Sequence, residues 1–438
     1  MELYNYQEAF GASDKTSPAM RQAIRDWFDL YYRAGADSRS DPSQRIAYTV
    51  VNKLIKTVFA EYNAGSDDPA VRALLQRLDA VKKEAVQLAL VGGECYLKPC
   101  IEGKSMGFGV IPRDNLLIFA RDPGGMPTDM GTVEKSTLGR YYYTLLERRT
   151  VDEKGFLTIQ NRLFRSLNSR QLGAEAELSE HPLYARLPKR YTYERPVGSV
   201  GLVRLRTPML NCVDGSPEGV SVYAAAAGLI RSIDRNEAQL SGEFDRGESR
   251  IIVSADLLDR QKQLSDHLFV GLDEDPEHAG ITVFSPALRE QSFLARKQEY
   301  LRNVESLVGL RRGLLSDTNI DQRTATEIAA SEAEYNLTVM GFQQMWEQAV
   351  RETLALCDVL SGLYGLDRLT GAVRIDWGNG VLYDEDKQWQ DYLVMVDKGL
   401  LRPEIALGWR FGMPAGTEEE RAVVRNALMP QEKMDRAL

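Results

Sequence analysis

The tripeptide Gly103-Lys104-Ser105 imitates the end of a phosphate-binding loop. That loop needs a glycine five residues before its second glycine, so that backbone N–H groups can cradle the phosphates. Here the position holds Lys98, and no strand-to-helix switch follows, so the fragment reads as a turn between strands. Cys95 and Cys100 have no second Cys or His pair at zinc-ligand spacing, and His181, His267 and His278 are too dispersed to complete a site. The two thiols read as residues in or beside a strand. The acidic runs Asp273-Glu274-Asp275 and Asp384-Glu385-Asp386 have the composition of Mg²⁺ ligands in a nuclease. A solvated face accounts for the first, and a helix N-terminus, where negative charge meets the positive end of the dipole, for the second. No Gly-x-Ser-x-Gly elbow, His-Glu-x-x-His helix or dinucleotide fingerprint is present. The residues therefore point to no enzyme, no catalytic group, no metal and no cofactor.

The 438 residues exceed what one hydrophobic core usually supports, so two to four domains are expected. With 43% apolar and 27% charged residues the chain can build substantial cores. Lys and Arg total 54 against 63 Asp and Glu, a net charge of -9. That balance excludes a protein held to nucleic acid by a broad basic surface, yet permits one that encloses nucleic acid without gripping it. No stretch approaches the roughly 20 apolar residues of a membrane span, and the opening residues lack the pattern of a signal peptide. Four scattered cysteines fit free thiols in a reducing compartment.

The elements follow from periodicity. Helices are expected over 18–33, 43–62 and 69–91, the last stopped by Gly92-Gly93. From Glu94 to about 207 come short β-branched and aromatic runs: 95–101, 107–111, 115–120, 140–149, 156–165 and 200–206. They suggest a small barrel or folded sheet, interrupted at 168–190 by an exposed, weakly ordered insertion. After Pro208 the chain turns helical, with a heptad seam Tyr223, Ala226, Ile230, Ile233, Glu237, Leu240 and Phe244 broken by Glu237. A small α/β insert at 247–289 precedes a helix to Leu307, a polar loop from Gly309 to Arg323, and a long helix from Thr324 to about Leu360. Tyr335, Val339, Phe342, Trp346, Val350, Leu354 and Cys357 stripe that helix, and Gly341 sits where it could bend. The last helices are expected at 384–398 and 417–428.

Three segments carry a resemblance. Leu90–Pro99, with Ile111-Pro112-Arg113-Asp114-Asn115 and 141–149 after it, forms a helix-to-strand passage. Pro217–Tyr223 continues through Ile233-Asp234 to 243–253, and Arg323-Thr324-Ala325-Thr326-Glu327-Ile328 opens the long helix after the polar loop. In this order, over most of 45–410, the chain resembles portal proteins of tailed double-stranded DNA bacteriophages, especially those of long-tailed phages of Gram-positive hosts.

The resemblance implies an α+β, mainly helical portal fold. Residues 1–220 would be the wing, with N-terminal helices and a β-rich module, and 221–246 the first stem helix. The clip would be 247–289, the second stem helix 290–308 and the tunnel loop 309–323. A long, kinked wing helix and its return would occupy 324–375, and a short helical crown 376–438. About twelve copies would form a ring at one capsid vertex of the virion, assembled in the host bacterial cytoplasm, with no membrane involved. Double-stranded DNA would pass through it; the terminase large subunit and then a head-completion or tail adaptor protein would dock on it. It would also meet the major capsid protein and a scaffolding protein. In the tunnel loop, Arg311, Arg312, Asp317, Asn319, Gln322 and Arg323 are the candidate DNA-channel residues; the competing expectation is a solvent-exposed connector whose arginines pair with Asp317 and Asp321. In the stem, Asp234, Glu237 and Glu243 are the candidates: Asp234 and Glu237 face the lumen or a neighbouring stem, or pair between subunits with Arg231 and Arg235. The alternatives are a nucleic-acid-processing enzyme of the packaging machinery, or another minor head or head-tail connector protein.

Overall fold

Ser17 caps the first long helix, α1 (Pro18–Tyr32): its Oγ accepts from the Met20 N–H at 3.1 Å, and Pro18 follows in the position that costs no hydrogen bond. Met20, Ile24, Trp27, Phe28 and Tyr31 form its buried face. Helix α2 (Ile46–Val58) buries Val50, Val51 and Leu54 and stops before the expected 62. Beyond Val58 the chain passes into another unit, where the Phe59 and Tyr62 rings lie 6.2 and 4.8 Å from that of Trp377. Helix α3 (Pro69–Gly92) starts on Asp68, which accepts from the Ala70 N–H at 2.8 Å.

This computed structural model describes residues 6–32, 41–103, 105–246, 250–254, 269–272, 282–284, 289–317, 325–378 and 385–429. The fold is α+β. One compact unit comprises Met1–Val58 and Ala64–Arg374; the other comprises Phe59–Asn63 and Ile375–Leu438.

After α3 come β1 (Glu94–Glu102), β2 (Ser105–Pro112), β3 (Leu116–Arg121), β4 (Pro127–Leu138), β5 (Tyr141–Val151) and β6 (Leu157–Ser166). Two short strands, β7 (Ala174–Ala176) and β8 (Arg190–Thr192), precede β9 (Val203–Arg206). They build two open antiparallel sheets rather than a barrel: β9-β1-β2, and β3-β4-β5-β6-β7 with β8 also on β6. Strand β4 is an interior strand of the larger sheet, paired on both sides, although its sequence, Pro127-Thr-Asp-Met-Gly-Thr-Val-Glu-Lys-Ser-Thr-Leu, has too few apolar residues to announce a strand.

The larger sheet is covered on both faces, as its alternation shows. Tyr143, Leu145 and Leu163 pack with Leu178 and Tyr184, whereas Leu146 and Phe164 on the other face pack with Phe10, Val133 and Leu172. Segment 168–190 is therefore no weakly ordered insertion. Leu172, Leu178, His181 and Tyr184 are buried, and the segment shields apolar strand residues from water.

Helix α4 (Ala227–Arg246) starts later than the seam predicts; Tyr223 and Ala226 are buried in the turns before it, and the Tyr223 hydroxyl donates to the Trp27 carbonyl at 2.8 Å. The insert contributes β10 (Arg250–Ser254), β11 (Phe269–Leu272) and β12 (Thr282–Phe284), ordered β11-β10-β12 with the first pair parallel. Helix α5 (Glu290–Val308) runs antiparallel to α4, since Asn236 meets Phe293, Glu237 meets Lys297 and Glu243 meets Arg289. Helix α6 (Ala325–Tyr364) spans 40 residues unbroken. Val339, Phe342, Trp346, Val350 and Cys357 of its stripe are buried, while Tyr335 bonds Thr57 of α2 at 2.8 Å. In the second unit, α7 (Glu385–Asp397), α8 (Pro403–Arg410) and α9 (Glu418–Leu428) follow. Thr417 and Glu420 form a capping box on α9, and Arg425 pairs with Glu404 of α8 at 2.7 Å.

Where α3 meets β1, charge is buried. Glu94 accepts from Arg204 of β9 at 2.7 Å through Nε and pairs with Arg113 Nε at 3.1 Å. Arg113 in turn donates to Glu218 at 2.8 Å and to Thr16 at 2.7 Å, and Arg121 reaches Glu218 at 3.1 Å. Glu94 is wholly buried and Arg113 and Glu218 nearly so. Burial alone would raise the Glu94 pKa, but Arg204 and Arg113 outweigh it and hold the carboxyl below its ordinary range. The loop carrying Glu218 approaches because Gly93 and Gly219 lie backbone to backbone. Gly93 has φ +85°, and a Cβ on either would strike the other's carbonyl.

Glu94→Gln leaves two guanidinium groups short of a counter-charge, so a loss of about 3–5 kcal/mol in urea unfolding is expected; a loss under about 1 kcal/mol would show the cluster to be replaceable. A second buried carboxylate sets acid stability. Burial would raise Glu147, but Arg149 at 2.7 Å and Lys98 at 2.8 Å outweigh it and hold its pKa at about 2. A carboxyl depressed on folding stabilises fully above its unfolded pKa of about 4.3 and stops doing so as pH falls through the folded value. Stability should thus decline between about pH 4.5 and pH 2, and Glu147→Gln should flatten that slope in stepped-pH denaturation.

Candidate functional site

The residues expected to face DNA or a neighbouring subunit lie on the α4–α5 hairpin and on the loop that leaves it. Asp234 is 6% exposed, and its Oδ1 accepts from the Gln44 N–H at 2.9 Å. Glu237 pairs with Lys297 of α5 at 2.9 Å, and the same ammonium donates to Gln44 Oε1 at 2.7 Å. Gln44 thus joins both stem carboxylates to the N-terminal region of the chain. Arg231 pairs with Asp26 of α1 at 2.9 Å. Glu243 takes a two-pronged contact from Arg289, at 2.9 and 2.6 Å, where the insert returns to α5. These charges are engaged within one chain, and they clamp the hairpin near its middle and at its far end.

The loop begins at Gly309, in the left-handed region at φ +74° and against Thr338 of α6, a position where a Cβ would collide with the threonine hydroxyl. Leu310 is buried, its N–H donating to the Glu305 carbonyl at 2.8 Å. A turn follows, with the Leu314 N–H donating to the Arg311 carbonyl at 3.2 Å. Arg311 and Arg312 are exposed; Arg311 pairs with Glu332 of α6 at 3.2 Å and not with Asp317. Asp317 instead binds Gln298 of α5: its N–H donates to Gln298 Oε1 and its Oδ2 accepts from Gln298 Nε2, both at 2.8 Å. Asn319, Gln322 and Arg323 lie outside the described residues, as do Asp321 and most of 247–289.

Sequence reading missed Glu305, Gln298, Gln44 and Lys297, together with the Glu94–Arg113–Glu218 cluster. One signal was present. Leu301, Val304 and Val308 form the apolar face of α5, and Glu305 interrupts it. A carboxylate inside such a stripe must find donors, and here the following loop supplies them. Nothing local marks Gln44, which acts across 253 residues of sequence.

Cys95 is buried, with burial pushing its thiol pKa up, and its Sγ donates to the Ala85 carbonyl at 3.1 Å. Among the described residues no three His, Cys, Asp or Glu side chains converge as a metal site would require. No described helix is long and apolar enough to cross a membrane.

No protein-family model matches the chain, and no curated protein does. Among solved structures, the fold is similar to a chain in the neck of a native GTA particle computed with C12 symmetry, with TM-score 0.50 and 15% identity. The alignment covers 93% of this chain and 97% of that one. A chain in the neck of an empty GTA particle computed with C6 symmetry aligns with TM-score 0.48 and 14% identity, over 94% and 98% of the two chains. The likeness is one of fold, and it runs nearly end to end.

The Glu237–Lys297 pair is partly exposed, so its worth is modest. Glu237→Lys should cost about 1 kcal/mol in thermal unfolding, and adding Lys297→Glu should recover most of it. No recovery in the double variant would mean that the two charges do not interact.

Proposed function

We propose that this chain is the subunit of a portal-type ring through which double-stranded DNA enters and leaves a phage-like particle. The observation that carries the reading is the alignment of 97% of a chain from a particle neck computed with C12 symmetry. The helix-insert-helix order, followed by a polar loop and a 40-residue helix, fits a conduit with a docking tip. About twelve copies would surround the channel. Packaging enzyme and adaptor proteins would dock on the insert at 247–289.

The charge balance suits the role. Each Lys or Arg contact with phosphate adds affinity through counterion release, and a ring multiplies that by its subunit number. A chain of net charge -9 escapes this and favours sliding over sticking. Arg311 and Arg312, exposed on the loop, would make intermittent contacts with the moving strand.

Light scattering and negative-stain imaging of one purified fraction test the reading. Rings of about twelve copies with a central hole are the expected result. A compact closed dimer that cleaves DNA in the presence of a divalent metal would overturn it.

A further inference from the structure

The loop leaving α5 is held by the helix it has just left. Glu305 has no exposed surface, and its Oε1 accepts from the N–H groups of Gly313, Leu315 and Ser316 at 3.1, 2.5 and 2.9 Å. Its Oε2 accepts from the Ser316 hydroxyl at 2.8 Å. One carboxylate thus gathers four donors from three residues within a four-residue stretch of loop. Two turns earlier on α5, Gln298 makes its reciprocal pair with Asp317. Positions seven apart share a helix face. The loop therefore folds back along α5 for about 10 Å, hooked at both ends of that span.

A carboxylate buried this completely is tolerated only while its lone pairs are filled. Releasing the loop would strand it, so the loop is coupled to the burial of Glu305. Between the hooks and the helix end lie Arg311 and Arg312, exposed on the turn. We propose that Glu305 and Gln298 are positioning residues: they latch residues 309–317 onto α5 and so present Arg311 and Arg312 in one fixed geometry to the phosphate backbone. This rests on the channel reading above. The alternative it excludes is a loose flap whose arginines search for phosphate. A fixed pair gives each subunit the same reach, which a ring needs if successive subunits are to hand on one strand.

The test uses full-length protein as wild type, Gln298→Ala, Glu305→Ala, Glu305→Gln and the Arg311→Ala/Arg312→Ala double variant, with ring assembly checked by negative stain. Amide hydrogen exchange at Gly313, Leu315 and Ser316 reads the latch directly, and DNA retained per particle reads its use. Gln298→Ala and Glu305→Ala should speed exchange at these amides at least tenfold and lower DNA retention as far as the arginine variant does. Glu305→Gln keeps a carbonyl oxygen for the three amides and should remain near wild type in both. Adding Gln298→Ala to the arginine variant should cause no further loss, because the latch acts only through those side chains. Unchanged exchange in Gln298→Ala and Glu305→Ala would refute the latch. Fast exchange with normal DNA retention, while the arginine variant fails, would refute positioning and leave the channel reading intact. A silent arginine variant in intact rings would overturn the proposal by removing the DNA contact it serves, even with the latch verified by exchange.

Discussion

Five charges withdrawn from water hold the larger unit together. Glu94 at the start of β1, Arg113 after β2, Arg121 on β3, Arg204 on β9 and Glu218 in the following loop come from five separate stretches of chain. Desolvating each ion costs several kcal/mol, and only close pairing offsets it. The cluster therefore tolerates few arrangements of those stretches. A register slip in β9 would carry Arg204 to the other face of its sheet and leave Glu94 short of a partner. The contact of Gly93 with Gly219 belongs to the same constraint, since it lets the Glu218 loop come near enough for Arg113 to span both carboxylates.

The same rule recurs at each junction. Lys98 of β1 and Arg149 of β5 meet at Glu147 and tie one sheet to the other. Gln44 and Lys297 hold Asp234 and Glu237 in the hairpin. Glu305 is satisfied by loop amides rather than by a counter-ion, which makes it an organiser of backbone. At Glu147, Asp234 and Glu305 a polar group with almost no exposed surface specifies which segment must arrive. Apolar packing supplies the gain from burial, and the polar groups select the geometry in which it is collected.

Helices α1, α3 and α6, strands β1, β2, β3, β5, β6 and β9, and the helix-insert-helix-loop-helix order were legible in the sequence, because each rests on local periodicity and local stop signals. So was the acidic balance, which belongs to composition alone. Strand β4 and segment 168–190 were not. The first is made by its neighbours on either side, and the second is ordered because the face of β5 and β6 beneath it needs a cover. Helix α8 went unread for a similar reason: it spans only eight residues, of which Ala406 and Gly408 are buried among its neighbours. The partners of Arg311, Asp234, Glu237 and Glu305 were likewise invisible. Periodicity reports which way a residue faces relative to its own element. Which partner it meets depends on segments that can lie hundreds of residues away, as Gln44 lies 253 residues from Lys297, and only the folded chain brings those together.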